Sequence, residues 1–168
     1  MKLRIGIAVI FAVFALFIGA DELLRSGSEN AQAEDIALTV YKSPTCGCCE
    51  KWIDHLEENE FSTNTRHPGD MNRIKNKHGI RPQYQSCHTA VHESGYVFEG
   101  HIPAEIIARF LEQPVKESVG LAVPGMPVGS PGMEYRGRVD PYTVRLLMRD
   151  GSADRYASVT SQGVEYHY

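Results

Sequence analysis

The pattern of apolar and polar positions between residues 36 and 113 predicts alternating strands and helices. Residues 36–42, IALTVYK, are rich in β-branched and aromatic side chains, which predicts a strand. In residues 48–60, apolar side chains recur at i, i+3, i+4 and i+7, and this spacing predicts a helix with one buried face. The face consists of Cys49, Trp52, Ile53 and Leu56.

The alternation continues and then gives way to a different pattern. In chain order we predict a short strand, a second helix, a hairpin turning at Ser94-Gly95 and a third helix, at residues 61–67, 69–79, 88–101 and 103–113. Residues 119–135 are rich in glycine and proline, so we expect no regular structure there. Residues 143–159 predict a closing hairpin with Asp150-Gly151 at its turn.

The resulting order, β, α, β, α, β, β, α and then an extension, is that of a thioredoxin-like α/β fold. Such a fold has a central mixed sheet with flanking helices. We therefore predict a thioredoxin-like domain at residues 34–113. We also predict a C-terminal extension at residues 114–168, made of the Gly/Pro/Met loop and the hairpin. A chain of this length can bury a substantial core without further support.

The first 33 residues have the pattern of a secretory signal peptide. Lys2 and Arg4 precede sixteen uncharged residues, and Ala31 to Ala33 form an A-x-A cleavage pattern before Glu34. The polar stretch ahead of that pattern is longer than usual, so an uncleaved membrane anchor is the alternative. Both interpretations imply export.

The charge of the chain excludes a nucleic-acid-binding profile. The net charge is −4, and residues 1–33 contain three basic and three acidic residues, so cleavage leaves it unchanged. The locally basic residues 72–81 are interpreted as a solvated helix face. The sequence also contains no heptad or large apolar stripe that would require an oligomer.

Three of the four cysteines lie at the predicted start of the first helix. Cys46 and Cys49 form a C-x-x-C, and the dipole of a helix N-terminus favours the thiolate form at this position. Cys49 lies on the apolar face and is predicted to be the more buried partner, whereas Cys46, at the cap, is predicted to be the more exposed. This geometry is typical of a thiol–disulfide oxidoreductase, but Cys48 and Cys87 add two thiols that such an enzyme does not need.

Two further interpretations of the four thiols remain open. The first is structural, with disulfides such as Cys46–Cys49 and Cys48–Cys87, although closing a four-residue loop stabilises a protein only slightly. The second is metal binding. Adjacent cysteine side chains diverge, so they suit separate ions with bridging thiolates, and soft sulphur ligands select Cu(I).

Methionines and histidines supply further candidate ligands. Met126 and Met133 lie in the Gly/Pro-rich loop, where no helix or strand period would bury them, and their thioethers are soft ligands. His88 follows Cys87 directly and His101 ends a predicted strand. Each histidine taken alone is also compatible with a surface or packing role, and His55 is interpreted in that way.

Several motifs, taken in order, resemble the CopG-like family of periplasmic copper-handling proteins, which is known by a C-x-C-C motif. They are YKSPTCGCCEKWIDHL, SCHTA, GYVFEGHIPAEII and GLAVPGMPVGSPGMEY, between about residues 40 and 135. The resemblance implies a thioredoxin-like domain whose C-terminal extension helps to bind metal. It also implies copper held by Cys46, Cys48, Cys49 and Cys87, and a role in copper resistance that includes interconversion of Cu(I) and Cu(II).

The leading hypothesis is a periplasmic protein that holds Cu(I), as more than one ion, in a multi-cysteine site. Met126 and Met133 would cover the cluster, and His88 or His101 would add a nitrogen ligand that tolerates Cu(II). Copper ions, copper efflux proteins and other periplasmic copper proteins are the expected partners. A copper oxidoreductase and a passive copper chaperone or storage protein are alternative functions that would share this site. The rival is a metal-free thiol–disulfide oxidoreductase that uses Cys46 and Cys49.

Overall fold

The computed structural model describes residues 36–168, and the signal peptide predicted at residues 1–33 lies outside that part of the chain. The strands are β1 Ile36–Tyr41, β2 Phe61–Arg66, β3 Thr89–His92, β4 Val97–Glu99, β5 Ser118–Ala122, β6 Tyr142–Met148, β7 Ala153–Thr160 and β8 Gly163–Tyr166. The helices are α1 Gly47–Glu57, α2 Met71–Lys77 and α3 Ala104–Glu112, with a 3-10 turn at Pro82–Tyr84. Within the described residues, no helix has the length and apolar character needed to cross a membrane.

The strands form one mixed sheet in the order β2-β1-β3-β4-β5-β6-β7-β8. The pairs β1–β2 and β4–β5 are parallel, and the other neighbours are antiparallel. The predicted α/β class with a mixed sheet is therefore confirmed. The thioredoxin-like assignment and the division after residue 113 stay predictions, and strands β5 to β8 continue the same sheet beyond that point.

The elements predicted from periodicity are present. The buried residues of α1 are the predicted Cys49, Trp52, Ile53 and Leu56. Helix α2 begins after Asp70, whose carboxylate accepts the backbone N–H groups of the two residues at its start. Such a cap satisfies donors that have no partner inside the helix. Helix α1 ends at Glu57, three residues before the predicted end, because the chain reverses through Glu60 at a φ of 65°.

Two strands were not predicted, and one of them corrects the expectation for the Gly/Pro-rich stretch. The first residues of 119–135 are in β5, which pairs with both β4 and β6. Gly120 makes this possible: its φ is 146°, and a Cβ there would lie 1.8 Å from the carbonyl oxygen of Val97. The glycine that suggested irregular structure is thus required for close strand pairing. The other unpredicted strand is β8, which adds a second antiparallel partner to β7.

The sheet is covered on both faces. Phe98 and Leu121 pack in the main core with residues of α1 and α3, whereas their neighbours Val97 and Ala122 pack with Ile80 in a second cluster. Successive side chains of a strand point to opposite faces. Helices α1 and α3 therefore cover one face, and the chain around Ile80 covers the other.

One row of paired residues determines where four chain segments leave the sheet. Tyr41 pairs with Thr89, Thr89 with Glu99, and Glu99 with Ala122. Strands β1, β4 and β5 end at this row, and the antiparallel β3 begins there. The residues after β1, before β3, after β4 and after β5 consequently emerge at the same edge of the sheet.

Candidate metal centre

Two groups of side chains meet at that edge. The helix group consists of Cys46, Cys48 and Cys49 at the start of α1. The strand group consists of Cys87 and His88, just before β3, and His101, just after β4. The four sulphur atoms lie within 4.8 Å of one another, and the Cys87 sulphur and one ring nitrogen from each histidine satisfy the same limit. Cys87 therefore belongs to both arrangements.

The helix group contains the predicted C-x-x-C, closed as a disulfide between Cys46 and Cys49. Cys49 is fully buried and Cys46 is half-buried, in the predicted order of exposure. Cys48 and Cys87 carry free thiols, and the Cys48 sulphur lies 3.5 Å from that of Cys46. One half of the two-disulfide interpretation is thus present in the structure. The pairing of Cys48 with Cys87 is not present.

The strand group brings one sulphur and two imidazoles together. The Cys87 sulphur lies 3.3 Å from Nδ1 of His88 and 3.1 Å from Nε2 of His101. Nδ1 of His101 lies 2.8 Å from the carbonyl oxygen of Pro131. Since a carbonyl only accepts, Nδ1 carries the proton, and Nε2 presents its lone pair to the sulphur.

The imidazole of His88 is buried, and one of its ring nitrogens makes no hydrogen bond to the described residues. Its side chain is fully buried, and its ring lies 4.2 Å from the ring of Trp52, centroid to centroid. Trp52 is in turn fixed by its indole N–H, which donates to the carbonyl oxygen of Ile102 at 2.8 Å. Nε2 of His88 has no hydrogen-bond partner among residues 36–168. Buried polar atoms are rarely left unpaired, so this atom is a candidate ligand atom.

Burial determines the protonation of the strand group. It raises the pKa of the Cys87 thiol to about 11, and the nearby Cys48 adds to the rise. It lowers the pKa of His88 well below its ordinary value, and His101, Lys75 and Lys42 contribute in the same direction. It also lowers the pKa of His101, against the opposing hydrogen bond to Pro131. At neutral pH the metal-free group is therefore a thiol with two neutral imidazoles.

The Gly/Pro-rich loop covers both groups. A Cβ on Gly132 would lie 2.6 Å from the carbonyl oxygen of Cys48 and 3.4 Å from Nδ1 of His101, so the loop backbone is in close contact with the cluster. On the other side, the Gly125 N–H donates to Gln85 at 3.3 Å, and the Ser86 hydroxyl donates to the Gly125 carbonyl oxygen.

The two methionines follow these glycines in the sequence. Met133 is half-buried directly after Gly132, and Met126, directly after Gly125, is 51% exposed. The structure thus brings the loop that carries both methionines to the cluster. Ligation of a metal by Met126 and Met133 stays a prediction.

Other polar residues around the site have structural roles. Nε2 of His55 accepts the backbone N–H of Ala104 at the start of α3, at 3.0 Å, which agrees with its interpretation as a packing residue. Lys75 is only 4% exposed and contacts Glu99, so the interpretation of residues 72–81 as a solvated helix face is wrong for this lysine. Glu99 is not among the residues that the sequence predicts to support the site. The signal in the sequence is its spacing of two residues from the apolar Val97, which places both side chains on the same face of β4.

Two solved structures have a fold similar to that of this chain. They are described as the copper resistance protein CopG, in form 1 and form 2, and both are 43% identical to it in sequence. The match to form 1 covers 76% of this chain and 99% of the other, with a TM-score of 0.71. The match to form 2 covers 74% and 98%, with a TM-score of 0.70.

Two further similarities cover shorter stretches. Residues 84–133, which include the strand group and both loop methionines, match a family described as proteins of unknown function, DUF411. Over 71 residues the chain is 31% identical to a glutamine–fructose-6-phosphate aminotransferase of Aliivibrio fischeri. That stretch is 42% of this chain but only 11% of the aminotransferase, so the activity of the enzyme is not carried over.

Proposed function

Because this chain belongs to the CopG family of copper resistance proteins, we propose that it acts in copper resistance by binding copper at its cysteine–histidine cluster. The observation that carries the proposal is the convergence of four sulphurs and two imidazoles from separate parts of the chain. Sulphur ligands favour Cu(I), and imidazole nitrogens accommodate Cu(II). Copper is here the cargo of the site, and the donor set fits it in both oxidation states.

The arrangement of the sulphurs favours more than one copper ion. Cys48 and Cys49 are adjacent, and neighbouring side chains diverge, so they are poorly placed to bind one ion together. Cys87 lies within reach of both groups and is suited to bridge ions. The loop over the cluster would exclude water, and the thioethers of Met126 and Met133 would add neutral soft ligands.

The C-x-x-C suggests how copper and thiol chemistry are linked. A reduced Cys46–Cys49 pair can give one electron to each of two Cu(II) ions. In that step two S–H bonds break, the S–S bond forms, two protons pass to solvent, and two Cu(I) ions result. The disulfide in the structure corresponds to the product of this step. A dithiol reductant would reopen it, so the chain would act as a copper oxidoreductase.

Metal analysis beside a thiol count tests the copper proposal. We expect copper to bind the protein from residue 34 onward, and more copper to bind after a reductant has opened the disulfide. Cys48→Ser should weaken Cu(I) binding strongly. His92→Gln is the matched control, because His92 lies at the far end of β3 and its ring, within residues 36–168, hydrogen-bonds only to Ser94. A reduced protein with four titratable thiols and no bound copper would contradict the proposal.

The same disulfide supports a second candidate, a thiol–disulfide oxidoreductase without metal. Cys46 is the more accessible sulphur at the start of α1 and Cys49 is buried, which is the order expected of an attacking and a resolving cysteine. This candidate predicts rapid reduction of protein disulfides by the metal-free chain, unaffected by Cys48→Ser. A chaperone or storage protein would instead exchange Cu(I) without any change in thiol count.

We place this function in the periplasm, with copper efflux proteins or other periplasmic copper proteins as partners. The support is the signal-peptide pattern at residues 1–33. Cell fractionation of the tagged full chain, with mass measurement of its N-terminus, tests both export and cleavage before Glu34. Recovery of the whole chain in the cytoplasm would contradict the location.

A further inference from the structure

A buried carboxylate lies beside the strand group without belonging to it. Glu99 is fully buried at the end of β4. One of its oxygens, Oε1, accepts from the Lys75 ammonium and, at 2.6 Å, from the backbone N–H of Ser86. The other, Oε2, accepts from the Thr89 hydroxyl at 2.6 Å. The Lys75 ammonium also donates to the Thr89 oxygen at 3.1 Å, so the network closes on itself.

These hydrogen bonds are made by the residues on either side of two proposed copper ligands in the sequence. Ser86 immediately precedes Cys87, and Thr89 immediately follows His88, so one carboxylate holds both ends of the Cys87-His88 dipeptide. The third member of the group, His101, lies two residues beyond Glu99 on the same chain segment. Between them, the N–H of residue 100 donates to the carbonyl oxygen of His88 at 3.1 Å. The network therefore relates all three residues of the strand group to one another.

Stability alone does not explain such an ion pair. Burial raises the pKa of the Glu99 carboxyl, and Lys75 and the hydrogen bonds of Thr89 and Ser86 oppose that rise. Removing charges from water is unfavourable, and well-packed apolar residues in place of a buried pair often give equal or greater stability. What apolar residues cannot supply is the pair of hydrogen bonds that fix the backbone before Cys87 and the side chain after His88.

We propose that Glu99, held in place by Lys75, is a positioning residue for the copper site, fixing Cys87 and His88 relative to His101. It hydrogen-bonds to their neighbours and not to the ligand atoms. Copper affinity and the copper–thiolate absorption spectrum therefore depend on a carboxylate that does not touch the metal. This inference rests on the proposed copper function.

Three variants of the full chain test the role of Glu99. Glu99→Gln keeps the shape and removes the charge, and we expect Cu(I) affinity to fall by about 10–100-fold, as is typical when a partner of a metal ligand is lost. Thr89→Val keeps the carboxylate but removes the hydrogen bond to Oε2 and the one that the Thr89 oxygen accepts from Lys75, so it should have a smaller effect of the same kind. The double variant Lys75→Met with Glu99→Met replaces the ion pair by apolar residues, so it should fold yet show the full loss of affinity.

A destabilised control separates positioning from general loss of stability. Val159→Ala removes buried volume in β7, four strands away from β3. It should lower the unfolding midpoint while the copper affinity and the spectrum stay as in the wild type. A folded Glu99→Gln protein and a folded double variant, both with wild-type affinity and spectrum, would overturn the positioning role.

One readout does not depend on copper. In the metal-free protein, the rate at which a thiol reagent modifies Cys87, relative to Cys48, reports how firmly Cys87 is held. We expect Glu99→Gln to raise this ratio several-fold, and Val159→Ala to leave it unchanged. If the wild type bound no copper, the proposed function would fail, but an unchanged ratio in folded Glu99→Gln or Thr89→Val would still refute the positioning role.

Discussion

The helix group and the strand group reach the same point of the molecule by different means. Cys46, Cys48 and Cys49 lie within four consecutive residues, and the first turn of α1 alone brings them together. Cys87 and His101 are fourteen residues apart in the chain, and the register of β3 against β4 brings them to 3.1 Å. The first arrangement is local, and the second depends on the whole sheet.

The two groups also differ in how they respond to redox conditions. The helix group contains two sulphurs that form a disulfide, so its number of free thiols depends on the redox state. The strand group has one thiol and two neutral imidazoles, held by the sheet and by the network of Glu99. We infer that the helix group responds to redox conditions while the strand group keeps its geometry, with Cys87 joining the two.

Loss of Cys87 should have the largest effect, because its sulphur serves both groups. We expect Cys87→Ser to weaken both Cu(I) binding by the reduced protein and Cu(II) binding by the disulfide form. The loss should exceed the ~100-fold upper range that is typical for residues outside the ligand shell. Competition with a Cu(I) chelator and absorption titration with Cu(II) measure the two affinities.

Cys48→Ser sharpens this comparison because it alters the helix group alone. It should weaken Cu(I) binding while leaving Cu(II) binding to Cys87, His88 and His101 largely intact. Equal losses of both affinities in Cys48→Ser, or retention of either affinity in Cys87→Ser, would show that the two groups do not divide in this way.

The pH dependence of Cu(II) binding should reflect the unequal protonation of the strand group. Since burial raises the pKa of Cys87 to about 11 and lowers those of His88 and His101, only the thiol has a proton to lose at neutral pH. Binding to the disulfide form should therefore release about one proton, and affinity should rise about tenfold per pH unit. Calorimetry in buffers of different ionisation enthalpy counts this proton. Binding without proton release would contradict the assignment of Cys87 as a ligand.

The same contrast explains what could be predicted from sequence. The helix group could be predicted because helical periodicity and C-x-x-C spacing are local, and the burial of Cys49 followed from the apolar face of α1. The histidines of the strand group remained open, since their approach to Cys87 depends on pairing between strands far apart in sequence. No local pattern distinguishes His101, whose ring lies beside the sulphur, from His92, which is in the same hairpin and whose ring hydrogen-bonds to Ser94.

Tertiary contacts also account for the incorrect expectations. Lys75 lies in a basic segment that suggests solvent exposure, yet its partner Glu99 is 24 residues away and can be identified only from the fold. Gly120 suggested a loop, whereas it permits β5 to approach β4. In both cases a residue type that favours exposed or irregular structure is buried because of a specific neighbour.

Contact between the loop and the two groups can be tested with a matched pair of glycines. Gly132 and Gly137 have φ values of 83° and 70°, so alanine at either position incurs about 1–3 kcal/mol of backbone strain. Only at Gly132 would the new Cβ also meet the carbonyl oxygen of Cys48, since a Cβ at Gly137 would have no atom of the described residues within 4 Å beyond its chain neighbours. Gly132→Ala should therefore lower the free energy of unfolding more than Gly137→Ala, and it alone should alter copper binding. Equal losses in the free energy of unfolding, measured by urea titration, would mean that the loop is not in close contact with the cluster.

The smallest effect is expected from the ion pair beside the helix group. Lys42 is fully buried, but its partner Glu50, at 2.7 Å, is 55% exposed, whereas both members of the Lys75–Glu99 pair are buried. The Lys42 ammonium also donates to the carbonyl oxygen of Ser43 at 2.9 Å, and a glutamine at the exposed position 50 keeps a side-chain oxygen that can accept from it. Glu50→Gln should therefore change the free energy of unfolding by less than about 1 kcal/mol. Glu99→Gln leaves the Lys75 charge buried without a counter-charge and should cost about 3–5 kcal/mol. Urea titration of both variants measures the difference. Similar losses would mean that the first turn of α1 needs support from its neighbours as much as the strand group does, and the distinction between a local and an assembled group would no longer hold.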